Sequence, residues 1–196
     1  MKKLVFIILL IVLYKYVFPG EILHTPGILV KEEPIQIQNS KELPNKKGWK
    51  FTAFASYTIS GRVLGRNRYY SGPSADIAPV DIALGWNKMS DTAVIEKLNI
   101  SMGNRFYFYQ WSGIPPIPQY EIQCSSANNH MIAANSEIES RIKSLKVGEL
   151  CTFSGYLVNG THESGGTWNS STTRADTGNG ACEVFYVENV ANYKGN

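Results

Sequence analysis

Residues 49–60, WKFTAFASYTIS, constrain the fold more than any other stretch of this chain. Trp49, Phe51, Ala53, Ala55, Tyr57 and Ile59 alternate with Lys50, Thr52, Ser56, Thr58 and Ser60, and Phe54 is the one break. A period of two places one set of side chains on a core and the other on solvent, which is the pattern of a half-buried strand. A strand cannot stand alone, so the remaining sequence has to supply a sheet around it.

The partners are read in order. The strand continues to about Leu64, and after Gly- and aromatic-rich sequence a short strand is expected near Ile77 to Leu84. SDTAVIEKL, from Ser90, reads as a short helix with Ser90 as N-cap, Asp91 in the first turn and Val94, Ile95 and Leu98 on one side. RFYFYQW (105–111) is a β-rich aromatic run, IPPIP (114–118) forbids regular structure, and YEIQC (120–124) is expected as another strand. SSANNHMIAA reads as polar connection, and NSEIESRIKSL as a helix capped by Asn135 or Ser136, with Ile138, Ile142 and Leu145 on one face. KVGELCTFSGYLV turns at Gly148 and enters a strand to Val158. Asn159 to Ala181 forms a 23-residue connection, and CEVFYVENV closes the fold.

That order, with a turn-and-strand signature K-x-G-x-x-x-x-x-x-G-x-L beginning at Lys146, resembles the OB-fold over residues 49–190, with 86–104 as an insertion. The expected class is mainly β (α+β): a single small OB-like five-stranded partly open barrel with one or two short helices. A generic α+β sheet domain is the alternative. PVDIALGW to MSD, NNHMI, GYLV and SSTTRADTGNGACE are also similar to a group of bacterial membrane-anchored exported proteins. The likeness implies the location and a single exported domain, and brings no activity with it.

The chain has 196 residues, 43% of them hydrophobic, which suffices for one good core. Residues 1–18 stand apart: Met1-Lys2-Lys3 precedes LVFIILLIVLY, then Lys15 and YVF, with no small-residue cleavage pattern after it. They are expected to be an uncleaved membrane anchor or signal-anchor. Its positive end would lie in the cytoplasm, with residues 20–196 facing the periplasm or cell exterior from a single pass through the inner membrane. Residues 19–48, with Pro19, Pro26, Pro34 and Pro44, are expected as a stalk, and 49–196 as the folded domain. Setting aside Lys2, Lys3 and Lys15 leaves 16 basic against 16 acidic residues, which argues against nucleic acid as a partner. One local excess remains: Lys41, Lys46, Lys47, Lys50, Arg62, Arg66 and Arg68 oppose Glu42 alone, either as a solvated face or as an attraction for anionic lipid or wall polymer.

Three cysteines in an oxidising exterior suggest one disulfide, with Cys124 to Cys182 as the expected bridge and Cys151 as a buried thiol. With three histidines and no C-x-x-C pair, no metal site or cofactor is expected. The stretch NSSTTRADTGNGACE (169–183) supplies the leading functional expectation. Arg174 can fork onto an anion, Ser171 and Thr173 offer hydroxyls, and Gly178 and Gly180 let backbone N–H groups approach. With Asp176, Trp168 and Asn129 they make a candidate binding set for a cell-wall, glycan or protein partner of a non-enzymatic accessory domain. The alternative is a hydrolase or transferase with Cys182 as nucleophile and His130 as base, Asp176 or Asn129 orienting the imidazole. A purely structural or exclusion protein is the third reading. Asp76 and Asp81, a glycosidase-like pair by type, fall on opposite faces of a strand and read as acid caps of turns.

Overall fold

The computed structural model describes residues 20–173, 178 and 180–195. The alternating stretch opens β2 (Trp49–Arg68), a 20-residue strand whose odd-numbered side chains from Trp49 to Ile59 are buried. Its length is matched by several partners. On one edge β7 (Leu150–His162) pairs antiparallel along Trp49 to Arg62; on the other, β1 (Ile35–Lys46) covers Trp49 to Thr58 and β3 (Val80–Gly85) continues along Arg62 to Arg68.

From β3 the sheet passes to β6 (Ser126–Ala133), from β6 to β9 (Glu183–Asn192) in parallel, and from β9 back to β7. Because β7 also pairs with β2, five strands form a ring, with β1 and the short β8 (Thr167–Asn169) hydrogen-bonded outside it. Among the described residues four short α-helices serve the ring: α1 (Pro73–Ile77), α2 (Thr92–Ile95), α3 (Gln119–Cys124) and α4 (Ser136–Ser144). A separate hairpin, β4 (Asn99–Gly103) and β5 (Phe106–Gln110), lies against the β2, β3 and α3 side.

The ring encloses one apolar cluster that includes Ile59, Ile82, Met131, Phe153 and Phe185. A second cluster lies on the opposite face of β6 and β9, where Ile132, Val184 and Tyr186 meet Trp49 and Phe51. A third, around Met89 and Ile122, packs the β4–β5 hairpin through Tyr107 and Tyr109. Burying both faces of β6 and β9 leaves the side chains that interrupt these clusters enclosed by protein, which is how polar groups come to be buried at the site described below.

Local chemistry fixes the elements. Asn135 caps α4 by accepting from the Ile138 N–H at 2.9 Å, and Asp91 caps α2 by accepting from Ala93 N–H at 2.9 Å. Ser90, expected as that cap, is instead buried and its Oγ accepts from the Leu29 and Val30 N–H groups at 3.0 Å. The N-terminal segment is therefore held on the ring. Gly148 reinforces this: at φ +86° it turns the chain into β7, and a Cβ there would stand 2.0 Å from the Ile22 carbonyl oxygen.

Several expectations change. The stretch 19–48, read as a stalk, contains β1 and these contacts, so it is joined to the sheet well before Trp49. YEIQC forms α3 rather than a strand, since Pro118 sets the turn that starts it. SSANNHMIAA is β6, a central strand of the ring. The expected 23-residue connection is shortened because β7 runs to His162 and β8 folds back on it. The three arginines of the basic stretch are largely engaged in the fold. Arg62 is buried against Thr92 and Ser90, while Arg66 and Arg68 donate to the carbonyls of Lys143 or Leu145 that end α4.

Among the described residues no helix is long and apolar enough to cross a membrane. The anchor expected at 1–18 lies outside them.

Candidate active site

Asp81 interrupts an otherwise apolar strand, VDIALG, and is fully buried. Val80, Ile82 and Leu84 point into the ring, so Asp81 points to its outer face. Directly opposite on β6 stands His130, its partner in register, and the Nδ1 atom lies 2.9 Å from Asp81 Oδ1. The ring N–H is aimed off that oxygen, so the contact is an ion pair rather than an aligned hydrogen bond.

The parallel pairing of β6 with β9 brings up the third group. His130 is in register with Val184, which brings Cys182, two residues earlier, to the His130 side of β6, where it helps to raise the proton affinity of the ring. Thiol, imidazole and carboxylate thus converge from three strands or their ends. The Cys182 sulfur also takes the Asn128 amide at 3.3 Å and, as a thiol, donates to the Arg105 carbonyl at 3.6 Å.

Burial alone would push the His130 imidazole down; Asp81 and then Cys182 outweigh it and hold the ring up at about 9. A folded-state value above the usual 6.5 means that protonation stabilises the fold. The contribution is complete below about pH 6.5 and is lost as pH rises through about 9. We expect the Tm to fall by several degrees between pH 6.5 and 9.5. The drop should be much smaller in His130→Gln, as differential scanning fluorimetry across that range will show.

Arg105 organises the same site from the β4–β5 turn. Its guanidinium donates to Asp81 Oδ1 at 2.7 Å, to the Ala78 carbonyl at 2.9 Å and to Ser74 Oγ at 3.2 Å. It lies 3.7 Å above the Tyr69 ring. Its backbone is in the left-handed region at φ +71°, following Asn104 at +52°, as a two-residue type I′ hairpin requires. Asparagine suits that conformation, whereas an arginine held there is an unusual choice.

The expected residues separate cleanly. Cys182 and His130 come together; Trp168 packs at a tilt against the His130 ring with centroids 4.8 Å apart and lies 5.4 Å from the Arg105 guanidinium. Asn129 does not join them. Its side chain points to the other face of β6, donating to the Ile82 and Ala127 carbonyls, and its neighbour Asn128 occupies the site instead. Ser171 closes a local turn with Thr173, its Oγ donating to the Thr173 carbonyl at 2.7 Å and accepting from that residue's N–H at 3.1 Å. The Ser171 N–H holds the Cys182 carbonyl at 3.0 Å, so the main chain of Ser171 supports the cysteine's backbone. Arg174 and Asp176 lie outside the described residues.

No Cys124–Cys182 bridge is present; all three cysteines are free. Cys151 is fully buried in the ring, and burial pushes its thiol up to about 12. Asp76 sits in the first turn of α1, apart from the role Asp81 takes. Among the described residues no group of three His, Cys, Asp or Glu is placed to hold a metal ion.

Cys182 opens onto a cleft of about 390 Å³, within the usual ~300–1,000 Å³ of ligand sites. Its walls are β5, the start of β6 and the segment around Ala181. Comparison of the chain with protein-family models, with curated proteins and with solved structures finds no match. The functional reading therefore rests on this geometry.

Proposed function

We propose that the chain is a thiol-dependent acyl-transfer enzyme, a hydrolase or transferase, with Cys182 as nucleophile, His130 as its proton partner and Asp81 as the group that orients and charges His130. The observation that carries this is that Cys182 lines a ligand-sized cleft and is backed by the buried His130–Asp81 pair. The reactive form is imidazolium beside thiolate. The sulfur attacks the acyl carbon of an ester, thioester or amide, the carbonyl electron pair moves to oxygen, and its return breaks the bond to the leaving group. That group takes the proton from His130 and departs, leaving a thioester on Cys182. Water or an acceptor nucleophile then attacks the thioester, gives its proton to His130 and releases the thiolate. The Asn128 amide, beside the sulfur, is suited to donate to the oxygen that gains charge.

Two further elements belong to the proposal. The ring order β2-β3-β6-β9-β7, with α4 between β6 and β7, supports an OB-like barrel, whose third and fifth strands correspond to β6 and β9. The apolar sequence 1–18 supports an inner-membrane anchor holding the domain in the bacterial envelope, in keeping with the group of anchored proteins the chain resembles. The non-enzymatic binding reading centres on Arg174 and Asp176, which lie outside the described residues.

The test is selective alkylation. Iodoacetamide at pH 7.5, followed by peptide mass spectrometry, is expected to modify Cys182 before the partly exposed Cys124 and the buried Cys151. Labelling of Cys124 ahead of Cys182 would defeat the proposal, as would isolation of the exported protein with Cys182 in a stable disulfide.

A further inference from the structure

The cleft beside Cys182 is lined by five consecutive residues of β5, Phe106 to Gln110. Successive side chains of a strand point to opposite faces, so a cleft touched by all five runs along the strand's edge. That edge is open: β5 pairs with β4 alone, and among the described residues no second strand joins it. The two-residue turn at Asn104-Arg105 decides which groups point outward. It makes Gly103 and Phe106 the first hydrogen-bonded pair, so Ser101 and Phe108 form the next one. Tyr107 and Tyr109 alternate with these, and their N–H and C=O groups face the cleft.

An unpaired edge of alternating main-chain donors and acceptors is complementary to one kind of molecule, another extended main chain. Ser126, Ala127 and Asn128, again consecutive, line the far wall, and none of the described lining residues is charged. On the reading of Cys182 as nucleophile, we infer that the substrate is an extended polypeptide segment, which adds to β5 as a third strand of the hairpin and presents a backbone amide carbonyl to Cys182. The bond broken is then a peptide bond. Its carbonyl carbon is transferred to sulfur and its nitrogen leaves with the proton from His130.

The experiment compares three electrophiles on the full chain: methyl vinyl sulfone, a tripeptidyl vinyl sulfone of uncharged residues, and the same tripeptide with every backbone amide N-methylated. Each adds the Cys182 thiolate across its double bond, so the rate of mass gain at Cys182 reports binding. The tripeptidyl reagent is expected to label Cys182 about tenfold or more faster than its N-methylated copy, because methylation removes the strand-type donors and leaves the side chains unchanged. Equal rates for the two would overturn strand addition while leaving the nucleophile standing, provided that methyl vinyl sulfone still labels Cys182 ahead of Cys124. Protection of Cys182 by a chitin oligosaccharide but not by the free tripeptide would also overturn it, in favour of a glycan. Failure of all three reagents to prefer Cys182 would remove the nucleophile, and the substrate with it.

Discussion

Replacing His130 with glutamine is expected to slow iodoacetamide labelling of Cys182 on the order of 100-fold at neutral pH, the lower end of what a positioned proton partner supplies. The argument rests on where the ring's charge comes from. Asp81 is fully buried, lies 2.9 Å from Nδ1 and helps to raise the imidazole to about 9, so the ring beside Cys182 is cationic at pH 7. Glutamine keeps the volume and a hydrogen-bonding amide but cannot carry that charge. The rate at Cys124 in the same sample is the internal standard, and it should not move. An unchanged rate at Cys182 would mean that ring and sulfur do not act as a couple, whatever their proximity.

The second large effect is on stability. Arg105→Ala removes the guanidinium from a carboxylate that has no access to water, and breaking a buried pair in this way costs roughly 3–5 kcal/mol. Arg105 keeps a fifth of its side chain exposed and His130 remains on Asp81, so the lower end applies. For a chain of this size each kcal/mol moves the Tm by about 2–4 °C, so a fall of about 6–12 °C is expected in thermal unfolding. Adding Asp81→Asn should recover part of the loss, because the double variant no longer buries an uncompensated charge. If the two substitutions lower the Tm additively, the ion pair is not what holds the hairpin to β3.

The parts of this molecule legible in the sequence are those whose causes are local. The alternation at 49–60 gave β2, the Asn135 cap and the spacing of Ile138 and Ile142 gave α4, and Gly148 gave the turn into β7. What escaped depends on partners distant in the chain. SSANNHMIAA looks like a loop because a strand with Asn128, Asn129 and His130 at its centre is stable only when Arg105, Ile82 and Asp81 supply their bonds. Asp81 offered one usable signal, a carboxylate in an otherwise apolar run, but its partner Arg105 sits in a turn that sequence spacing does not connect to it. Cys182 and His130 meet in the fold, whereas of the two candidates to orient the ring Asn129 does not join them and Asp176 lies outside the described residues. Alternation along β6 sends Asn129 to the face opposite His130.

The parallel pairing of β6 with β9 has a consequence for the order in which the proposed site assembles. Parallel neighbours require a crossover, and this one includes α4, all of β7 and the β8 arm before β9 can dock. Closing so long a segment is slow relative to local structure, which makes the last strand the natural last step of assembly. His130 and Asp81 meet early across β3 and β6, whereas Cys182 reaches them only when the ring shuts. On the role proposed for Cys182, a nascent or partly folded chain carries an ordinary thiol, and completion of the fold couples it to His130.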